Sequence, residues 1–344
     1  MKCKICGKEK LISKSIGVCI DCIRNADEKT IEKLLEIHKV RSPFPYKVPK
    51  GKGVKCYGCA NECIIEEGNY GFCGLVKNEN GKLIRLVGTP EKGLLEWYYD
   101  PLPTNCVAEF VCELCLNPKE NTYNLAIFYG ACNLHCLFCQ NWHYRELTLR
   151  LKPTYSSDEI VKLVKENVKC ICFFGGDPGP QIPHSLEVAR KVCELRDDVR
   201  ICYETNGLIG KNYLNEVIKY VKKTNGIIKV DFKFWSENLY KVISNCHNPK
   251  IIRKNIEKIA KSGVRLVIST LMIPGYVDEY EISKITEFIA SLDENIPYVL
   301  LAYYPHYLMN DIGFTSKEFA LKAKKIAEKN GLKNIFIGNI WLLK

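Results

Sequence analysis

Residues 124–141 read NLAIFYGACNLHCLFCQN: an apolar run, a Gly-Ala step, then Cys132, Cys136 and Cys139 spaced C-x3-C-x2-C. A short apolar run closed by glycine reads as a strand buried on both faces. The cysteines then fall in the loop that leaves its carboxyl end. Iron–sulfur clusters are held by thiolates, and a cubane takes four. Three thiolates in one loop with no fourth beside them leave one iron open to a ligand from elsewhere.

Outward from this stretch the same unit repeats. Further strand candidates are 169–175, 200–206, 227–234, 265–273 and 298–304, and 334–343 extends the edge. Helical patterns of roughly ten to fifteen residues lie between them. The first opens with a capping box, Ser156-x-x-Glu159, ahead of Ile160, Leu163 and Val164. Buried strands joined by helices imply a parallel sheet with right-handed crossovers. The expected fold is α/β, a partial (β/α)6 TIM-like barrel at 121–344 with small Cys-rich metal-binding modules before it. Active sites of such barrels form at the carboxyl ends of the strands. GGDP (Gly175, Gly176, Asp177, Pro178) follows the second strand, ETNG (204–207) ends the third, and DFK (231–233) lies in the fourth.

The 344 residues are 47% hydrophobic, enough for a substantial core. No run approaches the roughly 20 apolar residues that span a bilayer, and the start, MKCKICGKEK, lacks a signal peptide's apolar stretch. A cytoplasmic protein is expected, with no membrane partner. The net charge of +11 comes from lysine spread along the chain, which suits a solvated surface better than a nucleic-acid face. Nineteen cysteines, many in CxxC pairs, point to metal ligation rather than disulfides.

The cysteine groups divide the amino-terminal third. Cys3, Cys6, Cys19 and Cys22 form two CxxC knuckles able to surround one tetrahedral zinc, and with a helix over 27–40 they make a first module at 1–40. His38 on that helix is read as an ordinary helical residue. Residues 41–55, with Pro43, Pro45 and Pro49, read as an extended linker. A second module at 56–120 carries Cys56, Cys59, Cys63 and Cys73, a four-thiolate site for zinc or an auxiliary iron–sulfur cluster. It also holds a strand-like LIRLV (83–87) and packing aromatics at Trp97, Tyr98 and Tyr99. The gap from Cys106 to Cys112 fits no ligand spacing, and Cys106, Cys112 and Cys115 read as buried or unligated thiols. Cys170, Cys172, Cys193, Cys202 and Cys246 read as small core residues.

Within the barrel, the two glycines of GGDP let a backbone edge approach a ligand closely. Glu204 and Asn206 offer an acceptor and an amide at a strand end. Asp231 and Lys233, two apart on one strand, face the same side, so either an ion pair or ligand contact would satisfy the buried lysine. His135 and His143 flank the cysteine loop, with packing or surface roles ahead of a general-acid one.

The triad with GGDP, ETNG and DFK resembles the radical S-adenosylmethionine (radical SAM) domain over 121–344. That resemblance implies that Cys132, Cys136 and Cys139 hold three irons of a [4Fe-4S] cluster, while the amino and carboxylate groups of SAM chelate the fourth. One-electron cleavage then gives methionine and a 5′-deoxyadenosyl radical that abstracts hydrogen, with the electron coming from a reducing donor. It also implies that the Gly175–Gly176 strip faces the SAM amino group, and that Glu204, Asn206, Asp231 and Lys233 meet its polar groups. Asp177 stands where the motif more often has Glu. DFK with TLMIPGY (270–276) is similar to the glycyl-radical activating enzymes. In those, the TNG segment and the DxK aspartate border a cation, which makes Glu204, Thr205 and Asp231 candidate ligands. Ser269 stands where they usually carry arginine. The order C-x2-C-x3-C, GxCG, GACNLHCLFCQNW, PGY, YYPHY (303–307), GLKNIFIGN resembles the uncharacterised activase-like proteins of the AmmeMemoRadiSam type, to which the first knuckle is an addition. The expected substrate is unknown and of macromolecular class. The rival reading is a zinc or iron–sulfur protein that binds nucleic acid.

Overall fold

Asp27 opens the first sizeable helix. Its carboxylate accepts the Thr30 amide at 2.8 Å, satisfying one of the free amides of the first turn. The computed structural model describes residues 1–104 and 106–344. In it the knuckle ends in α1 (Ile20–Arg24), followed by α2 (Glu28–Leu34) and a 3-10 turn over Leu35–Arg41. Two small antiparallel pairs come next, β1 (Val54–Lys55) with β2 (Ile64–Ile65) and β3 (Val76–Glu79) with β4 (Lys82–Arg85). Asn80 and Gly81, both at positive φ, form the two-residue turn between β3 and β4. The predicted strand at 83–87 is thus one half of a hairpin and ends at Arg85.

The main sheet begins with β5 (Gly93–Pro101), and α3 (Glu113–Leu116) precedes β6 (Tyr123–Tyr129). Then come α4 (Tyr144–Arg150), β7 (Thr154–Tyr155), α5 (Ser157–Lys162), β8 (Val168–Gly175), α6 (Ile182–Leu195), β9 (Arg200–Thr205) and α7 (Lys211–Lys223). The chain closes with β10 (Ile227–Asp231), α8 (Glu237–Ser244), α9 (Pro249–Lys261), β11 (Arg265–Met272), α10 (Glu279–Leu292), β12 (Tyr298–Ala302), α11 (Lys317–Lys329) and β13 (Ile335–Gly338). The strand order is β13-β12-β11-β10-β9-β8-β6-β5-β7. From β6 to β13 every neighbouring pair is parallel, and β5 adds antiparallel to β6. Among the described residues no ladder joins β13 to β7, so the barrel is open, the α/β architecture expected from the repeat.

Several assignments differ from the sequence pattern. β10 stops at Asp231, so Lys233 lies beyond the strand. β13 stops at Gly338, and Ile340–Leu342 form a 3-10 turn. The antiparallel β5 absorbs Trp97, Tyr98 and Tyr99, which the sequence reading left as packing aromatics. The capping box on α5 forms as expected, with Ser156 and Glu159 bonding reciprocally. On α9, Ile252, Ile256 and Ile259 bury one helical stripe, each contributing about 1.5–3 kcal/mol by burial.

Residues 106–116 cross the inside of the sheet. Ala108, Cys112 and Cys115 pack on Ile227, Val267 and Val299, so this segment fills part of the barrel interior. The knuckle docks on the loops after β11 and β12: Ser13 Oγ donates to Asp311 at 2.9 Å, and the Ser13 amide donates to Tyr276 Oη at 3.0 Å. Arg24 pairs with Asp278 at 2.9 Å and with the buried Glu281 at 3.3 Å. Residues 41–55 also follow the barrel surface, with Arg41 and Val48 buried and the Tyr46 carbonyl accepting Asn245 Nδ2 at 2.7 Å. No helix among the described residues is long and apolar enough to cross a membrane.

Candidate active site

The loop after β6 carries Ala131 at φ 118°, a strained value for a residue with a side chain. It turns the chain sharply, and Cys132, Cys136 and Cys139 reach the wall of one cavity of about 360 Å³. The Leu134 amide approaches Cys132 Sγ at 3.3 Å, and Asn206 Nδ2 at 3.6 Å. Burial pushes all three thiols up, Cys139 to about 12. Such groups stay protonated until a metal takes the proton's place.

Opposite the triad, the ends of β8 and β9 are tied together by one buried carboxylate. Asp177 accepts the amides of Gly179 and Asn206, each at 2.7 Å, and the Thr205 hydroxyl at 3.1 Å. Burial pushes its carboxyl up to about 6, against the lowering effect of those donors. The Gly176 and Asp177 amides in turn donate to the carbonyls of Tyr129 and Ala131, both at 2.9 Å. Gly176 has to be glycine, because a Cβ would stand 2.2 Å from the Ala131 oxygen. Asn206 is oriented on both sides, donating to Asn133 Oδ1 at 2.7 Å and accepting the Leu208 amide at 2.9 Å.

The end of β10 carries a chain of charges. Lys229 Nζ lies 2.6 Å from Asp231 Oδ1 and 3.3 Å from Glu204 Oε2, and Lys233 Nζ lies 3.1 Å from Asp231 Oδ2. Ser269 Oγ donates to Asp231 at 2.8 Å. Burial alone would raise the Asp231 carboxyl, but the two ammoniums outweigh it and hold it well below the usual range. The cation site suggested for Glu204, Thr205 and Asp231 does not assemble. The Lys229 ammonium stands between the two carboxylates, and Thr205 turns to Asp177.

Gly175, Gly176, Asp177, Glu204, Asn206, Asp231 and Lys233 thus share a wall with the triad. Pro178 does not reach it and instead opens a 3-10 turn over Gly179–Gln181. Two contributors were missed from sequence. Lys229 follows the same two-residue alternation that links Asp231 to Lys233, so K-V-D-F-K carried the signal. Cys106 gave none. It enters from the segment inside the barrel, and its thiol donates to Glu204 Oε1 at 3.3 Å. Its other neighbours are Cys172 and Cys202 rather than the triad. With Cys112, Cys115 and Cys170 these thiols surround an adjoining apolar cavity. Behind the triad, His135 is buried against His38 at 2.7 Å and Tyr307 Oη at 3.0 Å, while His143 stacks on Phe128.

The donor set suits an iron–sulfur cluster with one open iron: two buried thiols and a partly buried one on one wall, amides aimed at a sulfur, and a bare glycine edge facing free space. The four knuckle sulfurs form a different kind of site, all lying within 4.8 Å of one another. Residues 126–285 match the radical SAM superfamily. An uncharacterized protein of Methanocaldococcus jannaschii is 27% identical over 88% of this chain and 86% of its own length. A second protein of that organism, named provisionally as a glycyl-radical enzyme activating enzyme, is 28% identical over 69% of this chain and 89% of its own. Among solved structures, Streptococcus suis SuiB bound to its precursor peptide SuiA aligns with a TM-score of 0.50 at 16% identity, over 61% of this chain; the chain spans about half of SuiB (47%). The triad, the glycine edge and the charged strand end, which share one cavity, all lie within the segment 126–285 that matches the radical SAM superfamily.

Proposed function

We propose that this radical SAM enzyme abstracts hydrogen from a polypeptide. The observation that carries the reading is the single cavity on which the triad, the Gly175–Gly176 edge, Asn206 and the Lys229–Asp231–Lys233 chain converge. When bound, a [4Fe-4S] cluster and SAM supply one-electron cleavage of SAM to methionine and a 5′-deoxyadenosyl radical. Cys132, Cys136 and Cys139 would hold three of the irons. The glycine edge admits a ligand against bare backbone, and Lys233, anchored on Asp231, offers a cation to a carboxylate. Asp177 and Asn206 act indirectly, holding the two loops at fixed separation. Peptide as the substrate class is supported by SuiB, whose crystal structure contains a precursor peptide. Zinc is the metal proposed for Cys3, Cys6, Cys19 and Cys22, because Zn–S bonds of about 2.3 Å bring sulfurs to about 3.8 Å apart.

A glycyl-radical partner protein would be one such polypeptide, and the provisionally named relative supports it. The PGY loop, however, serves here to seat the knuckle: Gly275 packs on Leu11, and Tyr276 Oη bonds the Ser13 amide and the Val18 carbonyl.

The test is anaerobic reconstitution with iron and sulfide, addition of SAM and dithionite, and chromatography of the products. Methionine and 5′-deoxyadenosine are expected, and Cys136→Ala abolishes both. An intact cluster that yields neither overturns the enzymatic reading. Deuterium carried from a labelled peptide into 5′-deoxyadenosine identifies the polypeptide class.

A further inference from the structure

Cys56, Cys59, Cys63 and Cys73 surround a small cavity whose wall also includes Gly58 and Arg85. Each of the four sulfurs is within electrostatic reach of the other three. The Gly58 and Phe72 amides point at Cys56 and Cys63 Sγ, each at 3.5 Å, as donors to thiolates do. Spacing separates this group from the knuckle. Tetrahedral zinc needs sulfurs about 3.8 Å apart, and the knuckle sulfurs satisfy this by lying within 4.8 Å of one another. Among the described residues, no three sulfurs of Cys56, Cys59, Cys63 and Cys73 close to that distance, and those of the triad do not either. A cubane demands the wider ring, because each ligand sits on a different iron.

The second group also abuts the triad. Cys73 and Cys132 line one small cavity with Arg41 and Tyr144. Asn61, between Cys59 and Cys63, donates to the Asn133 carbonyl at 2.7 Å. The Ala60 amide at 3.2 Å and Asn133 Nδ2 at 2.9 Å share the Leu208 carbonyl. Arg41, between the two groups, is buried with its guanidinium on the carbonyls of Pro45 and Phe72, and has no carboxylate partner among the described residues. A buried cation without a counter-charge is strongly disfavoured. Metal-bound thiolates on both sides would supply that charge.

We propose that Cys56, Cys59, Cys63 and Cys73 bind an iron–sulfur cluster, ligated entirely by protein, that passes single electrons to the cluster of the triad. An external one-electron reductant, a flavodoxin-class carrier or dithionite, reduces this cluster. It is reoxidised as the triad's cluster is reduced, and no bond is made or broken. The destination of the electron rests on the radical SAM reading; the site itself does not.

The full-length triad variant C132A/C136A/C139A, reconstituted anaerobically with iron and sulfide, tests the site. About four irons per chain and a dithionite-reducible EPR signal are expected, both lost when Cys59→Ser and Cys63→Ser are added. Zinc at these four cysteines with no reducible signal overturns the proposal. Wild-type protein gives a reading independent of any folding defect, with about eight irons expected and about four overturning it. For the relay, C59S/C63S in the otherwise wild-type chain should slow reduction of the triad's cluster by reduced flavodoxin about tenfold or more in rapid mixing. An unchanged rate overturns the relay. Failure of the radical SAM reading would show differently, as fully iron-loaded wild type that makes no 5′-deoxyadenosine.

Discussion

Lys229 shows how one buried charge organises the cavity. It neutralises Asp231 and Glu204 together, at 2.6 and 3.3 Å, while Lys233 approaches Asp231 from the other side. Removing one partner of such a set leaves an uncompensated charge. Lys229→Met is therefore expected to destabilise the fold by about 3 kcal/mol, read as a lower urea midpoint, and adding Glu204→Gln should restore part of it. A full loss that Glu204→Gln does not relieve would place the damage elsewhere. Gly176 is the matching steric case. Its substitution by Ala puts Cβ 2.2 Å from the Ala131 carbonyl, forcing apart the loops that carry Cys132 and Asp177. The expected effect is about 2 kcal/mol of destabilisation, with reduced visible absorbance of the reconstituted cluster. Both residues were written in the sequence, Gly176 as half of GGDP and Lys229 as the first member of an alternating K-V-D-F-K. Only the glycine was recognised, because a paired glycine after a strand has few other uses, whereas a lysine in a 50-cation chain has many.

Among the elements, β5 is the one whose placement changes the most. It runs antiparallel beside β6, and its first residue, Gly93, lies so close to His184 of α6 that a Cβ would meet the ring at 2.6 Å. His184 is buried, its Nδ1 shares a hydrogen bond with Tyr129 Oη at 2.8 Å, and burial lowers its pKa to about 4. The sign of the pH effect follows from this. The folded state keeps the ring neutral, while the unfolded chain takes up a proton below its ordinary value of about 6.5. Stability is thus steady above that value and falls as the pH drops from about 6.5 towards 4, by about 2–3 kcal/mol. His184→Gln should flatten the pH dependence of the unfolding free energy by about one proton across that window, and an unchanged slope would contradict the assignment. None of this was visible beforehand. The aromatic run Trp97–Tyr99 has high strand propensity, but a single antiparallel strand outside a βα repeat has no periodic partner to announce it.

For the molecule as a whole, the knuckle is a brace rather than a free appendage. It closes over the loops after β11 and β12 through Ser13, Tyr276, Asp311 and the Arg24–Asp278 pair. With almost no core of its own, it depends on its metal for on the order of 10 kcal/mol of folding free energy. Stripping that metal with a strong chelator should release amide protection in residues 3–22 and in the facing loops at 275–281 and 308–311, as read by hydrogen exchange. Protection in β8 to β10 should persist, and its collapse would mean that the brace holds the barrel itself.

The sequence by itself determined the repeating βα architecture, the triad and the family resemblance, since these depend on local spacing: near-continuous apolar runs along strands, glycine where backbones touch, thiols a few residues apart. Tertiary structure alone decided which thiols share a neighbourhood. It brought Cys106 from a distant segment to Glu204, set Arg41 between Cys73 and Cys132, and spaced two four-cysteine groups differently although both read as CxxC motifs. Sulfur-to-sulfur distances and the counter-charge of a buried guanidinium arise from how separate segments pack, and chain spacing carries no record of that.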